Sequence, residues 1–210
     1  MIESLAASHA KGKGTTGDVI FGVAALAAKA VQQHGKDKVV NATIGAILDD
    51  NESLVILPTV EKAWRQLPMH EVANYAPIPG LPEYLDAAIH LTFADSRPDA
   101  YIKGVATSGG SGVLHHVIWN YSELGDTVLT SDWFWGPYRV LCEDSLRKLD
   151  TFTLFNEKQG FNLPAFTAKV KDLLAKQDSL IVILNAPAHN PTGYSLTDSE
   201  WEQVIAFLRE

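Results

Sequence analysis

Caps and apolar repeats divide the chain into a front half made mainly of helices and a rear half in which strands and helices alternate. After a small, polar opening that ends Lys11-Gly12-Lys13-Gly14-Thr15-Thr16-Gly17, Asp18 caps a helix predicted to run to about Gln33, with Gly35 as its stop. Val39 to Ile47 reads as extended chain entering a loop, and Leu54 to Leu57 as a short strand. Pro58 opens a second helix that reaches about Leu67, where Pro68 ends it. The three prolines of Pro77-Ile78-Pro79-Gly80-Leu81-Pro82 fix φ and remove amide donors, which makes this a rigid turn. Pro82 suits the first turn of the next helix, on which Leu85, Ala88 and Ile89 recur at helical spacing.

After Asp99 the period changes. Strands are predicted at Tyr101 to Thr107, Thr127 to Ser131, Thr151 to Phe155 and Leu180 to Asn185, with helices between them at about Ser111 to Glu123, Gly136 to Ser145 and Pro164 to Lys176. The unbroken apolar run Leu180-Ile181-Val182-Ile183-Leu184 suits a strand buried on both faces, so the pattern predicts an α/β layer with mostly parallel strands. A last helix begins at the capping box Thr197-Asp198-Ser199-Glu200 and carries Trp201, Val204, Ile205 and Leu208 on one stripe.

Composition narrows the partners. The 210 residues are 46% hydrophobic and 20% charged, as in an ordinary folded protein. A net charge of −8 with no basic run disfavours nucleic acid, which needs clustered Lys and Arg. The longest apolar run, Val19 to Ala28, is shorter than the roughly 20 residues of a membrane span, so no membrane partner is expected. Met1-Ile2-Glu3 lacks the positive start of a signal peptide, and a single cysteine, Cys142, implies no oxidising compartment; the default expectation is cytoplasmic.

Two loops carry candidate chemistry. Thr107-Ser108-Gly109-Gly110-Ser111-Gly112 lies between a predicted strand and a predicted helix, where glycines let a ligand approach and free amides attract an anion. It fits neither the dinucleotide fingerprint, since His115 stands where the third glycine belongs, nor the P-loop. On these residues alone, a phosphate cradle and a plain βα turn remain equal alternatives. Asn185-Ala186-Pro187-Ala188-His189-Asn190-Pro191-Thr192-Gly193 follows the most apolar strand, where open α/β sheets bind ligands, although an Asn-Pro turn is also an ordinary loop element. His115 and His116 read as packing or surface residues, and Cys142 as a small buried hydrophobe. His189 has no carboxylate or cysteine at ligand spacing, and no metal is expected.

Taken together, these segments resemble one family. Asn190-Pro191-Thr192-Gly193 is similar to the asparagine motif of the class I aminotransferases, the fold-type-I enzymes that use pyridoxal 5'-phosphate. Asp18-Val19-Ile20-Phe21-Gly22 resembles the amino-terminal segment of aspartate aminotransferases, and Val40 to Ala46 followed by Leu57-Pro58 resembles their substrate-loop region. Tyr75 to Leu81 is similar to the tyrosine segment, Gly109 to Gly112 to the phosphate loop, and Trp135-Gly136-Pro137-Tyr138 to the ring-stacking segment. The matches run in family order over nearly the whole chain.

The resemblance implies a fold and a set of roles. The fold would be α/β, most of the front of the fold-type-I large domain with its mostly parallel sheet. Residues 1–50 would form an arm, helix and substrate-loop segment belonging to the small domain, and residues 51–210 the front of the cofactor-binding domain. Gly109, Gly110 and Ser111 would hold the cofactor phosphate, Trp135 would stack on the pyridine ring, and Asn190 would bond its 3'-oxygen. Tyr75 would reach the phosphate of a neighbouring subunit, implying a homodimer. Gly45, with Asn190, would lie beside the substrate, an amino acid of aspartate or aromatic type exchanging its amino group with a 2-oxo acid.

Such chemistry needs a Schiff-base lysine and an acid at the pyridine nitrogen. In the resembled family both follow the asparagine motif, and none of the twelve lysines here stands at a matching position. The expectation is therefore an amino-terminal fragment of an aminotransferase, with no catalytic residue of its own and inactive when isolated. Other readings are a lyase of the same fold, a non-catalytic module that binds the cofactor, and, more weakly, a nucleotide-binding domain using Gly109 to Gly112.

Overall fold

The computed structural model describes residues 19–51 and 53–210, and the chain divides into two units, Met1–Tyr75 and Ala76–Glu210. The opening arm and the Asp18 cap lie outside the described residues. In the first unit, helix α1 (Val19–His34) stops at Gly35, whose φ of +87° suits a residue without a side chain. The short strand predicted at Leu54 to Leu57 is a single antiparallel bridge, Leu48 to Leu54. Asp49 Oδ1 accepts from the amides of Asn51 and Ser53 and closes the turn, and α2 (Pro58–Gln66) then begins before the ladder can lengthen. A short helix α3 (Met69–Val72) follows.

The second unit starts at the proline-rich turn. Gly80 has φ +111°, and a Cβ there would lie 2.8 Å from the Ala106 side chain, so only glycine fits. The Pro79 carbonyl accepts from Ala106 N at 2.7 Å and ties this turn to residues 101–107. That segment is not a strand: apart from the Pro79 bond its backbone pairs with no other segment among the described residues. Its inner residue Gly104 instead rests against Leu85 and Ile89 of helix α4 (Pro82–Phe93).

The sheet forms around β1 (Thr127–Ser131), which pairs in parallel with β2 (Lys148–Phe152), in register from Thr127 opposite Lys148 to Ser131 opposite Phe152. On its other side Leu129 donates to Ile181 O at 2.9 Å and accepts from Ile183 N at 2.8 Å, which places the apolar run 180–184 as a third parallel segment. This contact stays a bridge because the Gln177 side chain occupies both backbone groups of Thr127. β2 begins three residues earlier than predicted. Its pairing ends at Phe152, and the Leu154 amide turns to the Asp132 carboxylate.

Alternation sorts these strands into two faces. Val128, Leu149, Ile181 and Ile183 pack with Ile118 of α5 (Gly109–Asn120) and Cys142 of α6 (Pro137–Asp144). Leu129, Phe152 and Leu154 pack on the other side with Phe166, Val170 and Leu173 of α7 (Leu163–Leu174) and Val204 of α8 (Asp198–Leu208). Phe166 is fully buried, a contribution of roughly 1.5–3 kcal/mol, and meets the rings of Phe152 and Phe207 edge-on. The second unit is therefore a parallel sheet with helices on both faces.

Two polar nodes hold the layers. Arg147, only 6% exposed, lies over the Trp119 ring and donates to the carbonyls of Trp119, Ser122 and Ser145, where the C-terminal end of α5 presents partial negative charge. Glu200 completes the capping box with Thr197 and also accepts from Tyr194 OH at 2.6 Å and Phe161 N at 2.7 Å. Burial opposes its ionisation, but the Tyr194 hydroxyl and the amides of Thr197 and Phe161 outweigh it and hold the carboxyl at about 2.

Arg147→Ala takes the donor from the buried Ser145 carbonyl and the part-buried carbonyls of Trp119 and Ser122, and is expected to lower unfolding stability by about 2–3 kcal/mol in denaturant titration; an unchanged midpoint would refute the anchoring role. Glu200 titrates lower folded than unfolded, so its stabilisation is complete above pH 4.5 and drains as pH falls toward about 2. Glu200→Gln should flatten the stability–pH curve across that window.

Candidate functional site

The three parallel segments run the same way, so their carboxyl ends at Ser131, Phe152 and Asn185 share one edge of the sheet. Loops leaving such an edge form ligand sites in open α/β sheets. Residues 132–136 leave β1 and residues 186–193 leave the third segment, and side chains tie the two loops together.

Ser131 Oγ donates to the Trp133 carbonyl and lies 3.3 Å from His189 Nε2. With the hydroxyl proton committed to that carbonyl, the ring is the donor to Ser131, and His189 Nδ1 lies 2.8 Å from Thr192 Oγ1, from which the neutral ring accepts. His189 is 6% exposed, which favours its neutral ring. Burial lowers its pKa by more than the Trp133 carbonyl raises it. A second tie runs from Asn185, whose Nδ2 donates to Tyr138 OH at 3.0 Å, while its Oδ1 receives the Asn190 amide at a long 3.4 Å. The Tyr138 ring stands edge-on to Trp135, with centroids 5.7 Å apart. The peptide bonds Ala186-Pro187 and Asn190-Pro191 are cis.

At the start of α5, Gly109 has φ +66°, a conformation that favours glycine. Its carbonyl accepts from Thr107 Oγ1 at 2.9 Å, which pins the loop. The amides of Gly110 and Ser111 belong to the first turn and have no acceptor within the helix. A Cβ built on Gly109 or Gly110 meets nothing within 4 Å, so the loop is open beside these two Cα atoms. Exposed amides, the Ser111 hydroxyl and the positive end of the helix suit an anion. Through Ile118, the same helix packs on the face formed by Val128, Ile181 and Ile183.

Trp135 is half-buried and Asn190 exposed, and the Tyr138–Asn185 pair brings both to one side of the sheet edge. Ser111 sits at the head of a helix packed against that sheet. Gly45 and Tyr75 belong to the first unit and are exposed, Tyr75 at 99%. Tyr138 and Asn185 were assigned no role from the sequence. Their signals are nonetheless visible there: a polar residue ending an all-apolar strand, and a tyrosine three residues after Trp135 on a helix that Pro137 opens. Among the described residues, no group of three or more His, Cys, Asp or Glu side chains could hold a metal.

This arrangement is that of an open parallel α/β sheet with two loops tied together at its carboxyl edge. Residues 37–210 match aminotransferase class I and II, and the chain belongs to that family. The mitochondrial aspartate aminotransferase of Dictyostelium discoideum is 28% identical over 178 residues, 81% of this chain and 41% of that protein. An aminotransferase of Anaerococcus prevotii superposes with a TM-score of 0.93 at 32% identity, covering 99% of this chain and 50% of that one. The cytoplasmic aspartate aminotransferase of Saccharomyces cerevisiae superposes with a TM-score of 0.73 at 26% identity, covering 91% and 47% respectively. The fold is thus that of the fold-type-I transferases, and the chain spans about half the length of these relatives. No helix among the described residues is long and apolar enough to cross a membrane.

Because folded His189 resists protonation and an unfolded histidine does not, its contribution to stability declines as pH falls below 6.5. The difference in unfolding midpoint between wild type and His189→Phe should therefore shrink from about pH 8 to pH 5. A difference that is constant with pH would place the histidine outside this pair of loops.

Proposed function

We propose that the protein is a pyridoxal-phosphate-dependent aminotransferase, moving an amino group between an amino acid and a 2-oxo acid. The observation that carries this reading is the linked placement of Trp135 and Asn190 at the carboxyl edge of the sheet, in the same unit as an open anion cradle at Gly109 to Ser111. Family membership supplies the chemistry such a site would serve.

The donor set fits the cofactor. Gly110 N, Ser111 N and Ser111 Oγ would bind the phosphate, with Gly109 keeping the loop low. Trp135 would offer its ring face to the pyridine. The side-chain amide of Asn190 makes no hydrogen bond within the described residues, so its donor is free for the ring's 3'-oxygen. When bound, the cofactor supplies an electron sink for the substrate's amino-bearing carbon. Gly45 would lie beside the substrate carboxylate, where the absence of a side chain admits it. The names of the relatives favour an aspartate or aromatic amino acid as substrate. The near-complete exposure of Tyr75 supports its reaching a second subunit's phosphate in a homodimer.

Titration with pyridoxal 5'-phosphate, followed by quenching of tryptophan emission, tests the reading. Ser111→Ala should weaken binding about tenfold, the scale of one hydrogen bond to a charged group. Trp135→Leu should remove most of the quenching. Binding indifferent to both substitutions would sink the assignment.

A further inference from the structure

We infer that Tyr138 and Asn185 act as a pair of positioning residues, setting the Trp135 ring and the Asn190 turn through the two ends of the Asn185 side-chain amide. This rests on the reading of Trp135 and Asn190 as cofactor contacts.

Tyr138 is 4% exposed, and its ring is held from two sides, by Phe134 in a near-parallel stack at 6.4 Å and by Trp135 edge-on at 5.7 Å. Packing alone leaves such a ring free to slide in its plane. Its hydroxyl fixes the remaining freedom by accepting from Asn185 Nδ2 at 3.0 Å. Asn185 directly follows the apolar run 180–184, which Leu129 pairs through Ile181 and Ile183, so its backbone is anchored by the sheet. The other end of the same amide accepts from Asn190 N. One planar group therefore connects an indole on the α6 side to an asparagine five residues further along its own loop. Rotation of the amide disturbs both.

The arrangement also answers a question of placement. Asn190 is exposed and its side chain has no partner among the described residues, so its direction comes from its backbone. His189 N–H···O Tyr194 and Gly193 N–H···O His189 close the far half of the loop, at 2.8 and 2.6 Å. Asn185 supplies the near half. A side chain that must meet a ring atom within hydrogen-bond range needs both.

The test uses the whole protein with Tyr138→Phe, Asn185→Ala and the double variant. Tyr138→Phe keeps the ring and its packing and removes only the acceptor. Two readouts are taken. The first is acrylamide quenching of Trp135 in the cofactor-free protein, obtained in each background as the difference from Trp135→Phe. The second is the dissociation constant for pyridoxal 5'-phosphate. Quenching of Trp135 should rise about twofold in either single variant, and each should lose about tenfold in affinity or somewhat more for Asn185→Ala, with the double variant no worse than Asn185→Ala alone, because that substitution already removes the bond lost in Tyr138→Phe. Wild-type quenching in Tyr138→Phe, or losses that multiply to about a hundredfold in the double variant, would overturn the pairing. Failure of the wild-type protein to bind the cofactor would instead sink the functional reading, and the quenching result would then decide the pairing alone.

Discussion

The double pairing of Leu129 is the contact on which the second unit depends. Its amide and carbonyl bond the run at 181–183, while its strand runs in register with β2 on the opposite side. Parallel pairing on both sides forces three carboxyl ends to one edge, and only there can loops from residues 132 and 186 meet. Shifting the third segment by one residue would send Ile181 and Ile183 to the face of Phe166 and turn Asn185 away from Tyr138.

Among the described residues, the charged and polar groups buried around this sheet have partners, save Ser145 Oγ. Arg147 faces carbonyls rather than a carboxylate, using the field at the end of α5. Glu200 joins three segments by collecting donors from Phe161, Tyr194 and Thr197. Burial favours the neutral form of His189, whose two ring nitrogens face Ser131 and Thr192. Polar side chains thus bind loops to the sheet where apolar packing alone would leave their register loose. The Asn185 amide does the same at the candidate site, and its length fits the gap between the Tyr138 hydroxyl and the Asn190 amide.

Much of this was legible in the residues. The capping box at Thr197 to Glu200, the helix starts at Pro58 and Pro82, and the all-apolar run 180–184 are local signals set by φ, amide loss and burial period. The glycine loop and Asn190-Pro191 were also apparent as candidates. Strand pairing was not. Tyr101 to Thr107 has a strand's composition but finds no ladder among the described residues, and the start of β2 depends on the register with Thr127, which no local pattern contains.

What the order of residues determined by itself was where the chain turns, which stretches bury an apolar face, and which loops carry anion-attracting or donor groups, because each follows from chemistry within a few positions. What tertiary structure alone decided was the partnership of distant side chains: Asn185 with Tyr138, His189 with Ser131, and Arg147 with the end of α5. These pairs are separated by 25 to 58 residues, and a hydrogen bond between them exists only once the sheet has brought its edges together.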